Sequence, residues 1–483
     1  MSGLGLFGTM EMARNSLNTQ RTAAEVIGHN LANAANPHFA RQRVKIESAH
    51  TLPSPLGHQG MGAQVVAFEQ IRDKTLDRYL VTEASTTGYY SSKLGSLQQA
   101  QVRLGQILER QSVDERTGDS EQTGLSERFT DFFNTLQSMS IAPTSSTERQ
   151  LSVFSGQEMA DRFNRAYDRL DSLRGDLNTE VTDSVAEVNR LLESISVISQ
   201  RIGASEVSDT GLNNELRDQR QAYFEELAEY TNFTHTETAQ GRMNINVAGI
   251  DFIVEDTLMD RFVAVPHPNP DNKPELAGMM YVKTQNKGSI LNVTGGKIRG
   301  LIDARDQTIY TLIKEVDNVA ANVISEVNTL HKAGYNLAGV KDANLGFFTG
   351  TGAKDIKVHQ TLVDDPYKIQ ASGFADAPGD NSVVLQMAQL ATKSIANLKG
   401  LTFSESYNTG VAKFGQDISN VETQLQAQEA VQKLLLKQRD SISGVSIDEE
   451  VASLMIYQRG FQASARLLTV IDGLIEDVLS LQR

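Results

Sequence analysis

Toward the C-terminal end of the chain, Leu454, Tyr457, Phe461, Ser464, Leu468, Ile471, Ile475 and Val478 recur in alternating steps of three and four that never slip. That stride keeps one narrow stripe facing a partner helix and predicts the seam of a coiled coil. Ser446 with Glu449 three residues on, after Gly444, predicts the helix start as a capping box. Near the other end, Ala13, Leu17, Ala24, Ile27 and Leu31 form a second stripe, with Gln20 in its one polar slot, and Asn36-Pro37 stops it. Two stripes this narrow must bury each other or another subunit, because a lone helix of that length is marginal in water. They are therefore read as an assembly module whose contact residues are Leu17, Ala24, Ile27, Leu31, Leu454, Tyr457, Phe461, Leu468, Ile471, Ile475 and Val478.

Between these ends the helical stride continues through Met159, Phe163, Leu170, Leu177, Val188, Ile195 and Ile202, through Ile309, Val316, Val323 and Leu330, and through Phe414, Ile418, Val421 and Leu425. Long narrow stripes suit elongated helices side by side. From Thr234 to Val265 the pattern shifts to alternation, with Met243, Ile245 and Val247 on one face, which predicts short antiparallel strands. Pro266-His267-Pro268-Asn269-Pro270 predicts an exposed loop. Gly334 to Gly410 has frequent glycines and weak stride apart from an apolar stretch near Val383 to Leu398, and reads as an inserted outward-facing subdomain.

The predicted fold is mainly α and elongated: a terminal α-helical coiled coil plus a long-helix bundle with inserted β-rich subdomains. Residues 1–50 with 446–483 form the terminal unit; 51–233, 297–334 and 411–445 form the bundle; 234–296 is a small β-rich segment and 335–410 the outer insert.

Composition narrows the function classes. A chain of 483 residues is expected to form two to four domains. Its net charge of −15, without a compensating Lys/Arg run, would repel a phosphate backbone, so nucleic acid is excluded as a partner. Cysteine is absent, which removes disulfides, thiolate metal sites and thiol nucleophiles. No stretch approaches the ~18 apolar residues of a membrane span, so no membrane insertion is expected. No long apolar run precedes Arg14, so any export would be by an unconventional route.

Candidate chemistry dissolves on inspection. Gly3-x-Gly5-x-x-Gly8 matches a dinucleotide fingerprint, but no strand can precede residue 3 to aim a helix at a pyrophosphate. Gly295-Gly296-Lys297 lacks both the earlier glycine, where Leu291 stands, and the hydroxyl that would hold magnesium, where Ile298 stands. The eight histidines are scattered without metal-like spacing, and no Gly-x-Ser-x-Gly elbow occurs. Asp364-Asp365 and Asp448-Glu449-Glu450 read as a solvated turn and a helix N-terminal turn. No cofactor, metal or catalytic set is expected, and the chain is not read as an enzyme.

Residues 4–46 resemble the N-terminal motif of the flagellar rod, hook and hook-associated axial proteins, centred on Asn30-Leu31-Ala32-Asn33, a proline turn, Phe39 and Arg41-Gln42. Asn36, Pro37, His38 and Phe39 stand where that family usually carries a Thr-x-Gly-Tyr-like turn. Two internal blocks, Asn214 to Arg220 and Gly295 to Asp306, together with Gly444 to Leu481, are similar to the hook-associated protein 1 family in particular. The resemblance implies a structural subunit of the bacterial flagellum, secreted and extracellular, at the junction between hook and filament. It implies an inner, channel-lining terminal coiled coil, unfolded export through the flagellar type III apparatus, and subunit contacts at Asn33, Arg41 and Gln42. The implied partners are identical subunits in a ring, the hook protein, a second, filament-side hook-associated protein, and an export chaperone at the C-terminal helix. A hook or rod subunit is the alternative.

Overall fold

The computed structural model describes residues 5–54, 57–104, 124–206, 213–238, 241–267 and 276–480. Helix α1 (Leu6–Ala32) leads into a β-ribbon: β1 (Gln42–Ser48) pairs antiparallel with β4 (Ala63–Gln70), and β2 (Thr51–Ser54) pairs with β3 (Gly57–Gly60). The ribbon is tied to α1, where Thr19 Oγ1 donates to the Ala63 carbonyl at 3.0 Å. Residues 61–70, assigned to the helix bundle from sequence, therefore pack with the terminal helix instead.

The body follows as α2 (Lys74–Leu104), α3 (Leu125–Ile141), α4 (Ser146–Glu206) and α5 (Asn214–Tyr230). At 61 residues, α4 is about 90 Å long at 1.5 Å per residue. It needs a continuous apolar stripe to stay packed over that distance, and Met159, Phe163, Leu170, Leu177, Val188, Ile195 and Ile202 are all fully buried along it. Strands β5 (Thr234–Glu237), β6 (Met243–Val247), β7 (Ile250–Val254) and β8 (Thr257–Leu258) form one sheet in that order, and β9 (Phe262–Pro266) pairs with β10 (Met280–Thr284). Asn189 of α4 clamps Phe262, accepting from its N–H and donating to its carbonyl, both at 2.8 Å. Of the loop expected from Pro266 to Pro270, residues 268–270 lie outside the described residues.

Helix α6 (Gly296–Asp303) continues through a π-helical turn, Ala304–Ile309, into α7 (Tyr310–His331). The glycines that mimic a phosphate loop serve packing. Gly296 has φ +76, and a Cβ there would run into the Tyr230 backbone. A Cβ on Gly300 would meet the Tyr89 carbonyl and the Ser92 side chain of α2. Buried Arg305 donates to Asn178 of α4 at 2.7 Å and to the Met280 carbonyl of β10 at 3.0 Å, while pairing with Asp306 at 2.7 Å.

Next come β11 (Phe348–Thr349), β12 (Lys357–Val358), α8 (Gln360–Asp364) and α9 (Ser382–Gln389). Phe347, Phe348, Ile356, Leu362, Val384 and Met387 join the same core as α3, α4 and α7, rather than building a core of their own. The insert read from the sequence is thus seated on the bundle. Helix α10 (Phe403–Ser443) starts within the range assigned to it, behind a full capping box of Thr402 and Glu405. Helix α11 (Ile447–Ser480) ends the described chain.

Candidate assembly interface

Helices α1 and α11 pair antiparallel, and three contacts set their register. Ser16 and Ser464 hydroxyls meet at 3.0 Å, Gln20 lies over Gly460, and Asn30 Nδ2 donates to Glu450 at 3.0 Å. A Cβ on Gly460 would stand 2.9 Å from the Gln20 amide, so the one polar slot in the α1 stripe is accommodated by a missing side chain opposite.

The predicted contact residues divide by position. Ile27 and Ile471 are buried, Ile471 to 4% exposure, as is Ser464 of the α11 stripe. Leu17, Ala24, Leu454, Tyr457, Leu468 and Ile475 are half-buried, and Leu31, Phe461 and Val478 are exposed. Two helices cover only the centre line of their contact, so half-burial is what a bare pair provides. The α1 stripe is also rotated from the predicted one: its fully buried positions are Ala13, Thr19, Ala23, Ile27 and Asn30. The ribbon draws α1 round by taking hydrogen bonds from Thr19 and Asn30. Hydrophobic periodicity could not flag these polar residues.

A second apolar stripe on α11 is left exposed among the described residues. Ile456 (68% exposed), Leu467 (42%), Val470 (59%) and Leu474 (47%) fall about a quarter turn from the seam, with Ala463 between them. This flank and the seam together make an apolar face wider than one partner helix needs.

Polar residues position the base of the pair. Asn33 donates to the His29 carbonyl at 3.0 Å, closing α1. Asn30 Oδ1 accepts from the Gln42 N–H at 3.0 Å, so Gln42 is held through its backbone. Arg41 pairs with Glu449 at 2.9 Å and Glu450 at 2.6 Å, the latter almost fully buried. Ser446 accepts from the Glu449 N–H at 3.5 Å, but Glu449 turns to Arg41 instead of completing a capping box.

The turn at 36–39 is held from the body. Arg439 donates to the Pro37 carbonyl at 3.2 Å, and Arg72 to the His38 carbonyl at 3.1 Å. Arg72 also pairs with Asp77 at 3.0 Å and Asp218 at 2.8 Å, while Asp218 accepts from Gln70 and the Ala40 N–H. Burial raises the Asp77 and Asp218 carboxyls above the ordinary range, and the guanidinium they share offsets this only in part. Burial pushes Glu225 up as well, but His38, whose Nδ1 stands 3.4 Å away, and Arg439 at 2.8 Å outweigh it and hold that carboxyl low. Arg72 and Asp218 carry this geometry although they lie far from both stripes; of the two, only Asp218 falls within a block singled out in the sequence, Asn214 to Arg220.

Among the described residues no His, Cys, Asp or Glu group could hold a metal ion, and no helix is long and apolar enough to cross a membrane.

Comparison with known proteins adds a consistent picture. The family described as the flagellar hook-associated protein FlgK helical domain matches residues 111–348, and the flagellar basal body rod FlgEFG protein C-terminal family matches 437–481. The chain is 25% identical to flagellar hook-associated protein 1 of Bacillus subtilis over 98% of both chains. It is 20% identical to the protein of that name from Salmonella typhimurium, over 97% of this chain and 99% of the other. The fold resembles the flagellar hook junction protein FlgK of Burkholderia pseudomallei, with a TM-score of 0.63 at 12% identity, covering 76% of this chain and all of that one.

Proposed function

We propose that this chain, similar to the flagellar hook-associated protein 1 of Bacillus subtilis and of Salmonella typhimurium, is a structural subunit of the flagellum and not an enzyme, and that it forms a ring of identical subunits between hook and filament, polymerised through its terminal helices. The observation that carries this reading is the uncovered apolar flank of α11 beside a seam that α1 already occupies. Such a flank is costly in a monomer and productive only where a neighbouring subunit buries it. The proposed partners beyond the ring are the hook protein on one side and a second hook-associated protein on the other. An export chaperone would cover the C-terminal helix before secretion to the cell exterior. A hook or rod subunit is the second reading, favoured by the rod-type match at 437–481 and by 31% identity to the flagellar hook protein FlgE of Treponema pallidum over 24% of the chain. The internal match at 111–348 supports the junction reading over it. Val470→Glu tests the proposal: the folded variant should stay monomeric and fail to add to isolated hooks, whereas normal addition would overturn it.

A further inference from the structure

From Glu422 to Asp440 helix α10 is covered along one face only. Leu425, Gln428, Gln432, Leu435, Leu436 and Arg439 are half-buried at helical spacing, with Gln428 donating to Glu83 of α2 and Arg439 pairing with Glu225 of α5. The remaining positions are exposed. Among them Ala427, Ala430, Val431 (44%) and Leu434 (66%) form an apolar stripe on the side away from α2. Lys433 and Lys437 border this stripe, and neither has an acidic partner among the described residues.

A groove of about 510 Å³ opens along α2, lined by Thr87, Ser91 and Gly95 at one-turn spacing. Gln432 of α10, Glu229 of α5, Lys297 of α6 and Glu180 of α4 also line it. Some of the small residues here serve packing within the chain: a Cβ on Gly88 would strike the Glu229 backbone, and Ser92 lies against Gly300. Gly95 differs. A Cβ there would meet nothing within 4 Å, so nothing inside the monomer calls for a residue that weakens a helix interior relative to alanine. Glu229 has no cation paired with it among the described residues, and burial together with Glu226 and Glu225 pushes its carboxyl up. The Glu180 carboxylate has only Lys297, at 3.9 Å.

We propose that the exposed face of α10 in one copy lies in the α2 groove of the next copy, Val431 and Leu434 against the small residues and Lys433 and Lys437 toward Glu229 and Glu180. An apolar ridge meets an open groove, and unpaired cations meet an under-compensated acidic wall. Ridge and groove are different surfaces of one body, so the contact is heterologous: each copy offers α10 to one neighbour and its groove to the other, as a ring requires. The inference rests on the ring reading above, but it places a contact on the helical body, separate from the α11 flank.

The chain has no cysteine, so Leu434→Cys and Ser91→Cys in one chain carry its only thiols. The helices run antiparallel, with Gln428 at Glu83 and with Arg439 and Asp77 on one cleft, so about 21 Å of helix separates the two positions within a chain. No disulfide spans that distance, and any that forms joins two copies. Added to isolated hooks and oxidised, the double variant should give a ladder of linked multimers, and either single variant none. Glu229→Lys should weaken addition at least tenfold, and Lys433→Glu with Lys437→Glu in the same chain should restore it. The monomer's melting should not change, because these groups lack partners in it. Normal addition without cross-linking, indifferent to the charge changes, would overturn the groove contact and leave the ring reading standing. Linkage that stops at dimers would overturn the heterologous arrangement. Failure of the unaltered chain to add to hooks would remove the ring reading and this contact with it.

Discussion

Replacing Leu467 and Leu474 together with alanine separates assembly from folding. Both lie on the uncovered flank of α11, 42% and 47% exposed in the monomer. Full burial of a leucine side chain is worth about 1.5–3 kcal/mol, and roughly half of that remains to be gained when a neighbour covers each one. The double variant should then lose about 2 kcal/mol per subunit contact, or about 30-fold in self-association. The monomer should keep its melting temperature and its amide protection in α1 and α11. Ile471→Ala provides the contrast, because Ile471 is already 4% exposed against α1. Truncating it should remove about 2 kcal/mol from the terminal pair within the monomer, seen as lost protection in α1 and α11. The main melting transition should hold, since the body core does not include Ile471. Sedimentation velocity gives the association constant, and hydrogen exchange reports on the helices. If Leu467→Ala/Leu474→Ala strips protection as strongly as Ile471→Ala does, the flank is ordinary core and the reasoning fails.

Arg41→Ala leaves nearly buried Glu450 without its cation and should weaken the terminal pair by about 2–3 kcal/mol, with Glu450→Gln in the same chain restoring most of the lost amide protection. Gly300→Ala should lower the body's stability by about 1–3 kcal/mol in denaturant melts, because its Cβ meets the α2 backbone; an unchanged midpoint would refute the close approach. Acid should loosen the body through His331, which burial lowers to about 4 against the opposing pull of the Leu345 carbonyl. The folded state holds the neutral ring, between that carbonyl and the Gln370 N–H, so stability is whole above the unfolded value near 6.5. As pH falls from 6.5 to about 4 the unfolded state gains protons first, and up to about 3 kcal/mol should be lost. His331→Asn should flatten that slope, and an unaltered slope would assign the acid response elsewhere.

The long stripes were legible because burial along a helix repeats every three or four residues, and the positions named in α4, from Met159 to Ile202, are buried. The terminal pairing was legible as a seam, but its rotation was not, because Thr19 and Asn30 are buried by hydrogen bonds that periodicity does not register. The glycines from Gly334 to Gly410 suggested an outer segment. Yet Phe347, Ile356 and Leu362 are buried without helical spacing, and turns bring them onto the bundle. Most of the polar junction escaped pattern reading: Asp218 was marked only through the block from Asn214 to Arg220, while Arg72 and Arg439 are unremarkable in sequence and join it only in three dimensions.

The central claim, that this subunit joins hook to filament, is tested most directly by electron microscopy of cells from which its gene has been cleanly deleted. The account predicts hooks of normal shape without attached filaments, with filaments restored by the intact gene and not by Val470→Glu. Full-length filaments on the deletion strain, or loss of the hook itself, would contradict it.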